Sequence, residues 1–528
     1  MVRVQRTVGE RDAVGRPTGS LFLKAYIQPF ERRLATAELT GLGIEVLAAH
    51  PGQYEYEVTF PAGQGMSPAR VADRLAYFDA LSLDVHRATL QARRELAGSL
   101  HSGRRKALPT RRVLRYGPHD LHEYRGKFFP QLVRSLCNVS GMRADSVVLD
   151  PMCGSGTTLV EARALDMRAA GLDRNPLSVL VTRVKTDSVG WDSSLAEEAE
   201  RIADIPLGQL DHPVGQDRWS PDDTGYLRRW FAPAALLELE RILGAVDSIS
   251  NDQLRDFARV CLSDILRSVS FQSLEDLRVR KAIRPYSEGS TTTLFRKKVR
   301  EAALQIGGMG RVDPGHRKEF NVKLGDINRL GELFPDLRAA VDLVVTSPPY
   351  ATALPYLDTD RLSLVILGLL PRNQHKSAEE EMIGTREVTE RRRKELWAQY
   401  KRERSRLPQS ITELVDRIAD AYDSPVVGFR RRNLPALLGT YFIRMKSALG
   451  QIQQVLRPGA RAFVVVGNNS TISQGTRVEI PTDHLLSDIA RQLGFTVASP
   501  FNMELLASRD IFVRNRGSRE QLLEFVKT

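Results

Sequence analysis

The sequence predicts an α/β fold built on an open, mostly parallel sheet, and two blocks carry that reading. The first is Val147-Val148-Leu149-Asp150-Pro151-Met152-Cys153-Gly154-Ser155-Gly156-Thr157-Thr158; the second is Asp342-Leu343-Val344-Val345-Thr346-Ser347-Pro348-Pro349-Tyr350. Each is an apolar run of the kind buried on both faces of a sheet, and each ends abruptly in a loop. A third run, Ala169-Ala170-Gly171-Leu172-Asp173, follows a helix start at Thr157 and ends on an acid. Strands alternating with helical stretches imply βα units and a parallel sheet.

The bulk composition narrows the class. At 528 residues the chain exceeds one typical domain, and two or three are expected. Hydrophobic content of 42% with 27% charged residues is that of a soluble globular protein. No apolar run approaches a membrane span, and Met1–Thr7 is not followed by an apolar core, so neither a membrane anchor nor a secretory signal is expected. The three cysteines, Cys137, Cys153 and Cys261, are too few and too scattered for a disulfide framework or a zinc site. A cytoplasmic location and no metal follow as expectations. The net charge of +12 favours a polyanionic partner.

Along the chain, residues 1–20 read as a flexible leader and 21–102 as a small N-terminal α/β unit. Within it, Leu21–Ile27 is strand-like, and Phe30–Leu42 is helical and stops at Gly43. Tyr54, Tyr56, Val58 and Phe60 alternate with polar residues as a half-buried strand, and 68–99 reads as helix. Residues 103–120 form a basic linker. The main α/β domain is expected over 121–189 and 316–528, with strands at 146–150, 168–173, 321–325, 341–346 and 461–467. Two strand–helix steps need only ~60 residues, far fewer than separate Asp173 from Ser347, so 190–315 is an insertion. It is mostly helical in pattern: Pro233 suits a first helical turn, and Leu254, Phe257, Val260, Cys261 and Ile265 recur at helical spacing. A second, charged insertion spans 366–440, where Trp397 and Tyr400 interleave with arginines and lysines.

The two blocks carry the chemistry. Ligands of open α/β sheets bind at the carboxyl edge, where the first loop lies. Gly154 and Gly156 let the backbone approach a ligand. The lack of a P-loop lysine argues against ATP or GTP. Asp173, about 20 residues after the loop, stands where a ribose diol is usually held. Asp326 ends the next strand and could take an adenine amino group. In the second block, Ser347 and the carbonyl of Pro348 suit hydrogen bonds from an exocyclic amine. Such bonds would localise a lone pair otherwise delocalised into the base. The prolines stiffen the loop, and Tyr350 offers a ring on which an extruded base could stack. Catalysis would rest on positioning and electrostatics, with no covalent nucleophile. Cys153 reads as a packing residue and His122 as a structural one.

With these residues the chain resembles the S-adenosylmethionine-dependent amino-methyltransferases of DNA, the N4-cytosine and N6-adenine group. Asp150, Pro151, Cys153, Gly154, Gly156, Thr157 and Thr158 match that family's cofactor loop. Asp173, with Asn175 beside it, matches its ribose acid, and Ser347-Pro348-Pro349-Tyr350 matches its catalytic tetrapeptide. His122–Pro130 resembles the block covering the methionine end of the cofactor, with Tyr124, Lys127, Phe128 and Pro130 as contacts. Val455–Gly459 and Phe463–Gly467 resemble a late helix–turn–strand. The resemblance implies a Rossmann-like class I methyltransferase domain, S-adenosyl-L-methionine as cofactor and double-stranded DNA as partner. A cognate restriction endonuclease fits as well as an orphan role. Serine at position 347 resembles the cytosine-N4 enzymes more than the adenine-N6 ones. A DNA-contacting surface is expected at Arg280, Lys281, Arg284, Lys297 and Lys298 in the helical insertion, the candidate target-recognition region. Arg391, Arg392 and Arg393 in the charged insertion are expected to join it. The rivals are an adenine-N6 enzyme, a tRNA guanine-N2 methyltransferase using 21–102 to hold RNA, and a nucleic-acid-binding protein that has lost catalysis.

Overall fold

The computed structural model describes residues 11–528 except 14, 51, 53, 62–66, 100–112, 125–127, 210–214, 216–217, 275–279, 315–316, 352–355, 423–427, 474–475 and 505–518. Lys127, much of the basic linker and part of the expected leader therefore lie outside the described residues.

The N-terminal unit is a five-stranded antiparallel sheet of β1 (Thr18–Leu23), β2 (Glu45–His50), β3 (Glu55–Thr59), β4 (Phe78–Ser82) and β5 (His86–Ala88), in the order β2-β3-β1-β4-β5. Helix Pro29–Gly41 ends where expected, with Gly43 at φ +71. The expected helix over 68–99 is wrong in part. Only Pro68–Ala72 and Leu90–Ser99 are helical, and the hairpin of β4 and β5 lies between them. Tyr77, Phe78 and Leu81 are buried in the core beneath this sheet, and their burial outweighs local helical spacing.

The main sheet is eight-stranded and Rossmann-like. Its strands are β6 (Val147–Asp150), β7 (Arg168–Asp173), β8 (Phe320–Leu324), β9 (Val341–Thr346) and β10 (Leu456–Gly467), then β13 (Phe495–Val497), β14 (Phe501–Glu504) and β15 (Arg519–Lys527). A separate hairpin pairs β11 (Asn469–Ser473) with β12 (Thr476–Ile480). The order is β13-β15-β10-β9-β6-β7-β8, with β14 also on β15. The pairs from β10 to β8 are parallel, while β15 runs antiparallel to β10. The chain winds outward from β6 to β8, then returns to place β9 on the other side of β6. That reversal is a topological switch point, the place where such sheets open a crevice.

Alternation along the strands divides the core. Val148, Val345, Phe463 and Val465 face one cluster, which the N-terminal unit joins through helices Pro130–Val139 and Thr157–Ala164. Leu149, Val344, Ala462 and Val464 face the other, covered by helix Phe429–Val455. Between β7 and β8 the chain forms helices Ser193–Arg201, Pro221–Arg228, Pro233–Asp247, Asp252–Val269 and Ser290–Val312. They share one buried cluster with helix Pro176–Ser188 and with Tyr356–Ile366, the helix that follows the second loop. Among the described residues no helix is long and apolar enough to cross a membrane.

Candidate active site

β6 delivers Asp150 to the carboxyl edge of the sheet, and the glycine loop follows. Gly154 and Gly156 adopt φ +51 and +79. A Cβ at Gly154 would lie 2.9 Å from the Tyr124 ring, and one at Gly156 would lie 2.7 Å from Thr182, so both positions exclude a side chain. The Thr158 hydroxyl lies 2.9 Å from Asp150 Oδ2 and 3.1 Å from the Val345 carbonyl, joining β6 to β9. Burial pushes the Asp150 carboxyl up to about 7, against the hydrogen bonds it receives from Thr158 and the Met152 amide. Asp173 fastens the loop from the neighbouring strand. Its Oδ2 accepts from the Gly154 amide and its Oδ1 from the Asn175 amide, both at 2.8 Å. Burial raises the Asp173 carboxyl, and these amides oppose the rise.

β9 ends one strand away and presents Ser347–Tyr350. Ser347 Oγ donates to the Val465 carbonyl of β10 at 3.1 Å. Tyr350 Oη donates to Glu520 Oε1 of β15 at 3.0 Å, and its ring lies against Gly467. Gly384, at φ +82, packs against Pro349, and the Asn469 amide donates to the Ala351 carbonyl at 3.0 Å. The tetrapeptide is thus held from β10, from β15 and from the charged insertion.

The two loops face one cleft that is partly open to solvent. Its lining brings together Tyr124, Phe128, Asp150, Pro151, Cys153, Gly154, Thr157, Asp173, Asn175, Asp326 and the whole of Ser347–Tyr350. Gly156, Thr158 and Pro130 stand behind it. Pro130 is the buried first residue of its helix. Asn175 is used structurally: its Oδ1 caps helix Pro176–Ser188 at Leu177, and its Nδ2 donates to Asp360 at 2.7 Å. The Asp326 carboxylate is engaged by Arg174 and by the Asn328 amide. His122 is buried, bonded to Ser263 at 2.9 Å, and lowered by burial to about 4, so it is neutral near pH 7. Cys153 packs in the loop with its thiol raised by burial.

Sequence reasoning missed Arg174, Met382 and Ile383, which also line the cleft. The last two come from the charged insertion. Their one sequence signal is an apolar pair closing the acidic run Glu379–Glu381 and followed by glycine.

Two residues expected on a DNA-contacting surface are structural instead. Lys298 pairs with Asp264 at 2.7 Å and donates to the Asp120 carbonyl. Burial works against its charge, but Asp264 more than compensates. Arg284 donates to the carbonyls of Ser270 and Gln272, closing its own turn. Arg280 and Lys281 are exposed, with Lys281 over the Phe271 ring. Lys297 is exposed near Glu301. Arg391 and Arg392 pair with Glu395, and Arg393 pairs with Glu390.

Comparison with known proteins bears on the same segments. Residues 121–201, which hold the glycine loop and Asp173, match the family described as UPF0020, RMKL-like, a methyltransferase domain. The chain is 22% identical to the Type II methyltransferase M.MvaI of Kocuria varians over 396 residues, covering 71% of this chain and 81% of that protein. It is 21% identical to M.AvaI of Nostoc sp. over 397 residues, covering 71% and 78%. A stretch of 50 residues, 10% of this chain and 15% of the relative, is 42% identical to the tRNA (guanine(10)-N2)-dimethyltransferase of Methanothermobacter thermautotrophicus. The domain match and the long spans shared with the two Type II enzymes support a methyltransferase.

Proposed function

We propose that the chain is a site-specific DNA methyltransferase that transfers a methyl group to the exocyclic N4 amine of cytosine in double-stranded DNA. One observation carries the choice of an amine. The Ser347 hydroxyl proton is committed to the Val465 carbonyl, so toward the cleft its oxygen can only accept. An acceptor there suits an N–H donor such as an NH2 group and does not suit an unprotonated ring nitrogen or a carbonyl.

The residues present fit S-adenosylmethionine. Gly154 leaves a cradle that a Cβ would close, an acid ends each of the two adjacent strands, and the cleft is mostly apolar. Asp173 and the glycine loop would hold its ribose and methionine parts, Tyr124 and Phe128 would cover it, and Asp326 would take the adenine amine once Arg174 moves aside. When bound, it supplies an electrophilic methyl group. Ser347 Oγ and the Pro348 carbonyl would accept hydrogen bonds from the two amine N–H groups and draw the nitrogen toward a tetrahedral shape, directing its lone pair into the cleft. Tyr350, fixed by Glu520, would stack on the extruded base. The serine at position 347 favours cytosine N4 over adenine N6 by its likeness to the cytosine-N4 enzymes.

Transfer of labelled methyl groups to duplex DNA and to tRNA, with product nucleosides separated by mass spectrometry, tests the reading. N4-methylcytosine in DNA is expected. N6-methyladenine would overturn the use made of Ser347, and label in tRNA guanine would replace the substrate class. A cognate endonuclease fits the reading but is not required by it.

A further inference from the structure

The charged insertion concentrates basic residues beside the cleft. Met382 and Ile383 line it, and Gly384 approaches so closely that a Cβ there would lie 3.0 Å from Pro349 Cβ and from the Tyr350 carbonyl oxygen. Arg386 follows within about 7 Å of chain. Thr389 then caps helix Glu390–Glu403, which begins with Arg391–Lys394. A second helix, Phe429–Val455, starts at the same rim with Arg430-Arg431-Arg432, all exposed, and Arg430 reaches Glu387 at 3.3 Å. Asn433 Nδ2 donates to the Val388 carbonyl at 3.1 Å, which places the two helix starts side by side, and Glu390 is held below the usual carboxylate range chiefly by its hydrogen bond from Arg393, with Lys394 and Arg432 adding to it.

Residues 386–406 and 430–432 contain twelve Arg and Lys against four Glu. Three of those glutamates, Glu387, Glu390 and Glu395, pair with Arg430, Arg393 and Arg391/Arg392, and Glu403 accepts from Gln399. The side chains of Arg386, Lys394, Arg431 and Arg432 make no ion pair or hydrogen bond among the described residues. Like charges without a close counter-ion repel one another, and Glu390, the carboxylate that Lys394 and Arg432 act on, is already bonded to Arg393. These cations are complementary to a polyanion at this face.

We propose that this rim, formed by Arg386, Lys394 and Arg430–Arg432, grips the phosphate backbone of duplex DNA beside the nucleotide entering the cleft. The inference rests on the reading of the chain as a DNA methyltransferase. It assigns backbone anchoring to the rim rather than to the helical insertion. Guanidinium forks match phosphate oxygens bidentately, and a duplex offers one charge per ~1.7 Å of axis, so each free cation on the rim can meet its own phosphate.

The test uses the full chain and the variant R386Q/R431Q/R432Q, which breaks no ion pair. Binding to a mixed-sequence duplex is measured against salt, with S-adenosylmethionine affinity by calorimetry as the control of folding. Each lost phosphate contact lowers the slope of log K against log salt by ~0.9, so three lower it by up to ~2.7. Cofactor affinity should be unchanged, and the variant R280Q/K281Q should keep the original slope. An unchanged slope in the triple variant, with duplex binding by the unmutated chain, overturns the rim alone. Failure of the unmutated chain to bind duplex DNA while binding cofactor overturns the DNA reading itself. Tighter binding to tRNA than to duplex, lost in the triple variant, overturns the assignment of the rim to DNA.

Discussion

Gly467 ends β10 and faces the ring of Tyr350. A Cβ in its place would lie 3.0 Å from Tyr350 Cε2, 3.2 Å from Cδ2 and 3.5 Å from Cζ. Carbon atoms prefer separations of about 3.5–4.0 Å, so Gly467→Ala asks the ring to retreat by roughly 0.5–1 Å. The ring cannot simply swing aside. Its hydroxyl is tied to Glu520, which stands opposite Gly467 in the β10–β15 register, and Pro349 is backed by Gly384. The shift therefore passes to the Ser347–Tyr350 loop. A misplacement of ~1 Å costs about 10²-fold in rate, or ~2.7 kcal/mol of barrier. Overpacking itself costs about 1–3 kcal/mol of stability, which a domain of this size tolerates. The assay is single-turnover methyl transfer to duplex DNA, with S-adenosylmethionine affinity measured in parallel. The expected result is a rate lower by roughly 30–100-fold with cofactor affinity unchanged, because Gly467 does not line the cleft. A rate at the original level would refute the claim that the Tyr350 ring is positioned by this contact. An equal loss of cofactor affinity would refute the claim that the damage is confined to the second loop.

Other substitutions test the remaining parts. Ser347→Ala should cut turnover by ~10²-fold or more while sparing cofactor binding, since it removes one oriented acceptor; turnover at the original level would exclude Ser347 from the chemistry. Asp173→Ala should weaken cofactor affinity by about 10–100-fold, because it frees the Gly154 and Asn175 amides as well as the cleft; unchanged affinity by calorimetry would move the ribose elsewhere. Glu161→Gln should cost about 3–5 kcal/mol in denaturant unfolding, because Arg134 would be left buried without its counter-charge and Arg94 with only Asp313, 3.8 Å away; a cost below ~1 kcal/mol would show the network to be dispensable. Glu38 is fully buried and raised by burial to about 7, from 4.5 when exposed. Its folded form binds the proton more tightly, so stability is fullest below about pH 4.5 and falls as pH rises toward 7, by ~3 kcal/mol at ~1.4 kcal/mol per unit. Glu38→Gln should flatten that part of the stability profile, and an unaltered slope between pH 4.5 and 7 would refute the assignment.

The sheet and the two loops were legible because each depends on local chemistry: apolar runs, glycines that need positive φ, an acid at a strand end. The elements that hold the second loop were not. Glu520 and the β15 strand that carries it lie far from Tyr350 in the chain, and an alternating strand near a terminus gives no hint of its partner. Met382 and Ile383 were hidden inside a charged insertion because their burial comes from packing into the two core clusters that flank the cleft, not from any helical periodicity. Lys298 looked like a surface cation beside Arg296 and Lys297. Only the fold shows that its side of the helix meets Asp264, and a charge run does not reveal which face is buried. The missed hairpin of β4 and β5 has the same cause, since local spacing favoured a helix and the tertiary core favoured a strand.

The position of the N-terminal unit weighs on the choice between DNA and RNA. A unit that gripped RNA would need a cationic face, because phosphate contacts supply most of such binding. Residues 21–99 hold eight Arg and Lys against nine Asp and Glu. Of those cations, Arg94 and Lys24 are buried, Lys24 on Glu95 at 2.5 Å and Arg94 facing Glu161. Glu161 lies in the helix that starts at the glycine loop, and Arg134 and His119 bond to it as well, at 3.0 and 2.8 Å. Two of the unit's eight cations are thus directed inward, Arg94 to a carboxylate one turn behind the glycine loop, and the surplus positive charge of the chain lies elsewhere. A brace that steadies the helix after the glycine loop accounts for that placement, while an RNA-holding domain leaves it unexplained.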